Sequence, residues 1–304
     1  MKVLVTGATG RTGSEVVKAL LQRGVDVRAL TRKQPKPGTF PSAVEIALGD
    51  LTDPVSTAEA LKRVDKLFLL IAGIPDEIVQ ALTAYSLAKK AGLRQVTYLS
   101  VYQADKFLEV PHFAAKYAVE EAIRAGRMPY TILRPAYFLQ NERGLKAALT
   151  GAGVYPIPAG NRGVAVVDVR DIAEVAAISL TEEGHEGKTY DLVSSDMLTG
   201  LGAAATWSKL LGKEITYGGH GDFDSFEARM RKTGNPMRET ASPMLWLAHD
   251  IRLMFEGFVE RGFRNTEDQT ARVAALLGRP PRTYSGYAEE LATEWLQREL
   301  QPVG

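Results

Sequence analysis

Two rhythms alternate through the first half of the chain. Short, nearly continuous apolar runs at residues 3–6, 27–31, 44–48, 67–72, 95–100 and 130–133 have the length of strands buried on both faces. Between them, apolar positions recur at helical spacing: Val16, Val17, Ala19, Leu20 and Leu21 before Gly24, then residues 57–62, 78–91 (stopped by Gly92) and 112–125. Strands alternating with helices of this length predict βαβ units, a parallel sheet and helices on both of its faces. Right-handed crossovers then put every strand's carboxyl end, and any ligand crevice, along one edge.

After about residue 150 the pattern changes. Gly151, Gly153, Pro156, Pro158, Gly160 and Gly163 mark a loop-rich stretch. A strand at 164–167, a helix at 171–180 with Asp171 near its start, and a strand at 190–193 follow. From there the pattern is helical, at 201–211, 223–232, 244–258, 266–277 and 287–300. The expected organisation is a dinucleotide-type domain over residues 1–155, rejoined by strands from about 164–195, and a smaller, mostly helical, substrate-side region over 196–304.

The turn between the first strand and the first helix is Gly7-Ala8-Thr9-Gly10-Arg11-Thr12-Gly13. Gly7 permits the tight turn, Gly10 lets backbone approach a pyrophosphate, and Gly13 allows close helix–sheet packing, while free N–H groups and the positive helix end face the phosphates. A plain strand-to-helix turn is the alternative. The strand before it and the amphipathic helix after it favour dinucleotide binding, and with it a doubly wound Rossmann fold of the α/β class. About 20 positions beyond the glycines, where an acid would chelate the ribose hydroxyls of NAD, stand Thr31, Arg32 and Lys33. Guanidinium and ammonium groups attract a 2′-phosphate, so the expected cofactor is NADP(H), with Arg11 within reach of the same pocket. Asp50 in Gly49-Asp50-Leu51 either meets the adenine amino group or caps the next turn. Thr9, Thr12, Leu51, Ala72, Gly73 and Pro135 complete the expected cofactor contacts.

GATGRTG, Thr31-Arg32, Gly49-Asp-Leu-Thr-Asp53, Thr131-Ile-Leu-Arg-Pro-Ala-Tyr-Phe-Leu-Gln-Asn141, Asp168-Val-Arg-Asp-Ile-Ala173 and Pro280-Pro-Arg-Thr283 together span nearly the whole chain. In these the chain resembles the NmrA-like atypical short-chain dehydrogenases/reductases. That group is similar in fold to quinone and triphenylmethane reductases, isoflavone-reductase-like enzymes and NADP-sensing transcriptional regulators. The resemblance implies a cofactor contact for Ser100 and a nicotinamide-ribose clamp for Lys116. Where typical short-chain dehydrogenases carry a catalytic Tyr four residues before that Lys, this chain has His112. His112 and Lys116 share a helix face, and an imidazole can donate or relay a proton; a pocket-lining His is the alternative.

Tyr102, Tyr137, Phe138 and Asn141 follow strands five and six, where the crevice should open, and are candidates to sandwich a flat aromatic substrate, with Tyr137 also a candidate in catalysis. Packing under the helical region is the competing role for Tyr137 and Phe138. Trp207, Trp246 and the Met244/Met254 pair suit core or lid lining, and Asp168, Arg170 and Asp171 suit a charge cluster at a helix start. The expected activity is hydride transfer from NADPH to a small quinone-like or aromatic acceptor. A dinucleotide sensor without turnover is the main rival, and a nucleotide-sugar epimerase the third.

Composition narrows the field further. The 304 residues carry 37 Lys plus Arg against 36 Asp plus Glu, so nothing electrostatic favours nucleic acid or an anionic membrane as partner. No Cys removes disulfides and thiolate chemistry, and the four His (His112, His185, His220, His249) are not paired at ligand spacing, so no metal is expected. The longest apolar run, 67–74, is too short to span a bilayer, and MKVLVTG has too few apolar residues for a secretory leader. A cytoplasmic protein is expected, as monomer or homodimer.

Overall fold

The computed structural model describes residues 1–219, 221–233 and 245–300. They divide into two units. One comprises Met1–Pro135, Val169–Leu192 and Ala275–Arg279; the other comprises Ala136–Asp168 and the described residues of Val193–Ala274 and from Pro280 on.

The first unit opens with β1 (Lys2–Val5), α1 (Arg11–Gln22), β2 (Asp26–Thr31), β3 (Glu45–Leu48), α2 (Pro54–Ala60), β4 (Lys66–Leu69), α3 (Glu77–Lys90), β5 (Gln95–Leu99), α4 (Pro111–Ala125) and β6 (Tyr130–Pro135). The chain then makes three strands of the second unit, β7 (Tyr137–Phe138), β8 (Val154–Tyr155) and β9 (Val164–Val167). It returns with α5 (Val169–Thr181) and β10 (Lys188–Leu192). The rest is β11 (Met197–Leu198), α6 (Gly200–Leu211), β12 (Thr216–Tyr217), α7 (Phe223–Thr233), α8 (Leu245–Arg261), α9 (Glu267–Leu277) and α10 (Tyr284–Leu300).

Among the described residues the main sheet has seven strands in the order β10-β6-β5-β4-β1-β2-β3, all paired in parallel. This is a doubly wound Rossmann sheet whose strand order reverses between β1 and β4, where such sheets bind their ligands. The expected alternation of short strands and helices is therefore present. Strand residues Leu4, Leu67, Leu69, Val96 and Tyr98 pack with Leu61, Ala81, Ala84, Tyr85, Val119 and Ile123 of α2, α3, α4 and their flanks. α1 packs against α5. Local signals set the boundaries: Asp53 caps α2 by accepting from the Val55 and Ser56 N–H groups at 2.9 and 3.2 Å, and Pro54 and Pro111 occupy first-turn positions where a missing N–H costs nothing.

Two expectations about organisation need correction. The first unit's opening stretch ends at Pro135 rather than 155, and the strand at 164–167 does not return to the main sheet. β9 instead pairs in parallel with β7 and antiparallel with β11, in a three-stranded sheet of the second unit. All four β9 residues are buried, so its apolar run reads as a buried strand in either sheet and cannot say which. Among the described residues after Pro135, α5, β10 and Ala275–Arg279 rejoin the first unit, and β10 alone of these joins its sheet. No described helix is long and apolar enough to cross a membrane.

Candidate cofactor site

The carboxyl ends of the parallel strands gather most of the expected cofactor residues on one edge. Gly7 follows β1 with φ +63°, a backbone conformation glycine adopts without penalty. Thr6 ties the switch point together: its Oγ1 donates to the Leu70 carbonyl and accepts from the Leu70 N–H, both at 2.8 Å. A Cβ on Gly13 would lie 2.1 Å from the Gly7 carbonyl oxygen, so the start of α1 sits directly on the turn. On Gly10 the nearest atom would be that same oxygen, at 3.2 Å. Gly7, Thr9 and Gly10 are exposed, Arg11 is half-buried, and no side chain caps α1, whose Ncap is Gly10. An exposed cradle of small residues against an uncapped helix start suits a diphosphate.

Beyond β2, Arg32 and Lys33 are exposed, and neither makes a hydrogen bond or ion pair among the described residues. Beyond β3, Asp50 Oδ1 accepts from the Thr52 N–H and hydroxyl at 2.9 and 2.8 Å. Those two bonds, with the positive charge of Arg32 behind them, hold the Asp50 carboxyl below its ordinary value. Asp50 thus caps the turn that follows it, while the cap of α2 belongs to Asp53, and Oδ2 of Asp50 keeps no partner among the described residues. Leu51 and Gly73 are half-buried and Ala72 is exposed, whereas Thr12 and Pro135 are buried.

The residues of β5 and α4 are more committed than the sequence suggests. Lys116 is buried, and its Nζ donates to Glu77 Oε1 at 2.5 Å and to the Leu99 carbonyl at 3.4 Å. His112, one turn earlier, is half-buried, with its ring edge-on to Phe113 at 4.7 Å. Ser100 is buried, and its hydroxyl donates to Glu120. Glu120, fully buried, also accepts from Arg134 Nε and Nη2 and from Arg124. The Ser100 hydroxyl thus braces the β5–β6 end through this network. Tyr102 is buried too, its N–H donating to the Pro135 carbonyl at 2.9 Å.

In the second unit, Tyr137 is buried in β7 with its ring 6.3 Å from Phe255. That contact is the packing role weighed above against catalysis for this residue. Phe138 and Asn141 are half-buried. Trp207 is fully buried and stacks on Trp295 at 5.0 Å, and Met254 is buried, both as core. Within the first unit, Asp171 of the expected charge cluster accepts from Arg279 at 2.8 Å, as Glu174 does at 2.6 Å. His220 and Met244 lie outside the described residues.

Three acids escaped sequence reasoning: Glu77, Glu120 and Glu142. Glu142 is fully buried and accepts from the Tyr155 hydroxyl at 3.1 Å, Trp207 Nε1 at 3.2 Å and the Tyr284 hydroxyl at 2.8 Å. Burial pushes its carboxyl up to about 7, against the pull of those three donors.

Comparison with known proteins places this site in a family. The profile of the NmrA-like family matches residues 1–251. The chain belongs to the NmrA-like family. Its relatives within and around that family include an NAD(P)H azoreductase of Xenophilus azovorans, 28% identical over 290 residues, which cover 94% of this chain and 96% of that one. Among solved structures, the Citrobacter triphenylmethane reductase complexed with NADP(H) aligns at a TM-score of 0.82 and 27% identity, over 96% of this chain and all of that one. The NADPH-dependent quinone oxidoreductase of Escherichia coli, complexed with NADPH, aligns at 0.82 and 25%, over 97% of this chain and all of that one. The Rossmann sheet and glycine turn described above are thus those of an NmrA-like chain.

Proposed function

We propose that this NmrA-like protein is an NADPH-dependent reductase of flat, quinone-like or aromatic acceptors. The observation that carries the cofactor half is the pair of exposed, uncommitted cations, Arg32 and Lys33, beyond β2, where an acid would repel a 2′-phosphate. The acceptor half rests on the azoreductase, triphenylmethane reductase and quinone oxidoreductase to which the chain is similar.

NADPH, when bound, supplies the hydride from its nicotinamide ring. The chain's own residues bind and orient. Backbone N–H groups around Gly7, Gly10 and Gly13 hold the diphosphate, Arg32 and Lys33 the 2′-phosphate, and Oδ2 of Asp50 accepts from the adenine amino group. The remaining N–H of Lys116 donates to the nicotinamide ribose. His112 or water holds the proton that neutralises the reduced acceptor. Ser100 and Tyr102 support these groups from the interior.

Two measurements test the reading. Purified protein supplied with NADPH and a panel of quinones, azo dyes and triphenylmethane dyes should oxidise NADPH in an acceptor-dependent way. Tight binding without any oxidation across the panel would instead favour a sensor. Replacing Arg32 and Lys33 together by alanine should raise the Kd for NADPH about tenfold and leave NADH binding unchanged. Equal losses for both dinucleotides would remove the 2′-phosphate assignment.

A further inference from the structure

Lys116 does not stand alone at the end of β5. Glu77, the first residue of α3, turns inward and meets it: Glu77 is 1% exposed, Lys116 is 9% exposed, and Nζ lies 2.5 Å from Oε1. An ammonium has three N–H donors. Glu77 takes one and the Leu99 carbonyl, at 3.4 Å, takes a second, which leaves a third. The Tyr98 ring, its centroid 5.7 Å from Nζ, closes another side. Glu77 Oε2 and the Tyr98 hydroxyl are both buried with no partner among the described residues.

A buried ion pair is a poor way to gain stability, because two well-packed apolar residues of similar volume serve as well or better. Here it fixes one end of a flexible four-carbon stem at the carboxyl edge of the sheet, where the glycine turn also lies. Without Glu77, the ammonium would be a buried charge lacking its counterion and would move towards water. Glu77 itself is closed off from any ligand, since its Oε2 is inaccessible and its Oε1 is committed. It can act only through Lys116.

We propose that Glu77 is a positioning residue that anchors Lys116 Nζ, so that the one remaining N–H meets the nicotinamide ribose of the bound dinucleotide. The proposal rests on the ribose role of Lys116 given above.

Calorimetric titration of the full chain with NADPH and with 2′,5′-ADP, which lacks the nicotinamide ribose, tests both layers separately. Lys116→Met should bind NADPH about tenfold more weakly and 2′,5′-ADP as the unaltered protein does. If its NADPH affinity is unchanged, the ribose role of Lys116 fails and this proposal with it. With that effect in hand, Glu77→Gln should show the same selective loss, and the double variant should be no weaker than Lys116→Met, because the two side chains act as one unit. Unaltered NADPH binding by Glu77→Gln, equal loss for both ligands, or additive losses in the double variant would overturn the proposal while leaving the ribose role of Lys116 in place. Should Glu77→Gln fail to fold, Glu77→Asp keeps the charge one methylene short. It should lose NADPH affinity selectively by a smaller factor, and no loss there would overturn the proposal as well.

Discussion

Alanine at position 13 should weaken NADPH binding at least about a hundredfold, or roughly 2.7 kcal/mol, and lower the melting temperature of the cofactor-free protein as well. The added methyl carbon would sit 2.1 Å from the Gly7 carbonyl oxygen, 2.7 Å from its carbon and 2.9 Å from Ala8 Cα. All three are backbone atoms, so no rotamer change relieves the contact; α1 must retreat from the turn. Overpacking of this kind costs on the order of 1–3 kcal/mol, and a rigid backbone neighbour favours the upper end. The retreat also spreads the N–H groups that cradle the diphosphate. Gly10→Ala is the informative partner experiment. Its methyl carbon would meet only the Gly7 oxygen, at 3.2 Å, so the melting temperature should stay near that of the unaltered protein while NADPH binding falls. Differential scanning fluorimetry with and without NADPH reads both quantities. A Gly13→Ala protein that binds NADPH normally would show that the diphosphate lies elsewhere.

The second large effect is a dependence of stability on pH that Glu142 imposes on the folded protein. Its carboxyl is pushed up to about 7 by complete burial, from an ordinary value of 4.5. Below pH 4.5 the folded and unfolded chains both carry the proton, and Glu142 is neutral in the balance. Between 4.5 and 7 the unfolded chain ionises while the folded one stays protonated, so stability falls as pH rises. Above 7 the loss levels off at about 3 kcal/mol. Glu142→Gln removes the slope. The amide also forfeits some of the acceptor capacity that serves Tyr155, Trp207 and Tyr284, so its absolute stability is not the decisive quantity. The decisive one is the difference between the two proteins, which should move in favour of the variant by roughly 2–3 kcal/mol between pH 5 and pH 8. Urea unfolding followed by tryptophan fluorescence measures it, and a difference independent of pH would mean that the buried carboxyl is already ionised.

These two residues also mark what the sequence could and could not reveal. Gly13 was legible because the demand comes from backbone: a glycine at that spacing, between a buried strand and an amphipathic helix, answers one geometric need. The place of Arg32 and Lys33 beyond β2 was legible for a similar reason, since the end of β2 is a fixed distance along the chain from the turn. Glu77, Glu120 and Glu142 were not. An acid at the first turn of a helix normally faces solvent and the helix dipole, as Glu77 would at α3, and nothing in its neighbours announces a lysine 39 residues further on. Glu120 reads as one of two adjacent acids on the outer face of α4, yet it turns inward to Arg134 and Ser100. Glu142 lies in a short 3-10 segment, Leu139–Leu145, whose period matches neither helix nor strand patterns, and its partner Tyr284 is 142 positions away. The burial of Tyr137 was not legible either, because a two-residue strand is too short to show which side is buried.

The return of β10 to the main sheet has a consequence for how the polypeptide is made. β6 is finished at Pro135, but the strand that covers its outer side is complete only at Leu192, 57 residues later. At about 5–20 residues per second, a ribosome leaves that margin open for roughly 3–11 s. During this interval the nascent chain displays an unpaired, apolar border, Tyr130–Pro135, of the sort that recruits other extended segments. Slowed translation between these points should therefore lower the yield of well-folded material more than the same delay placed after Leu192.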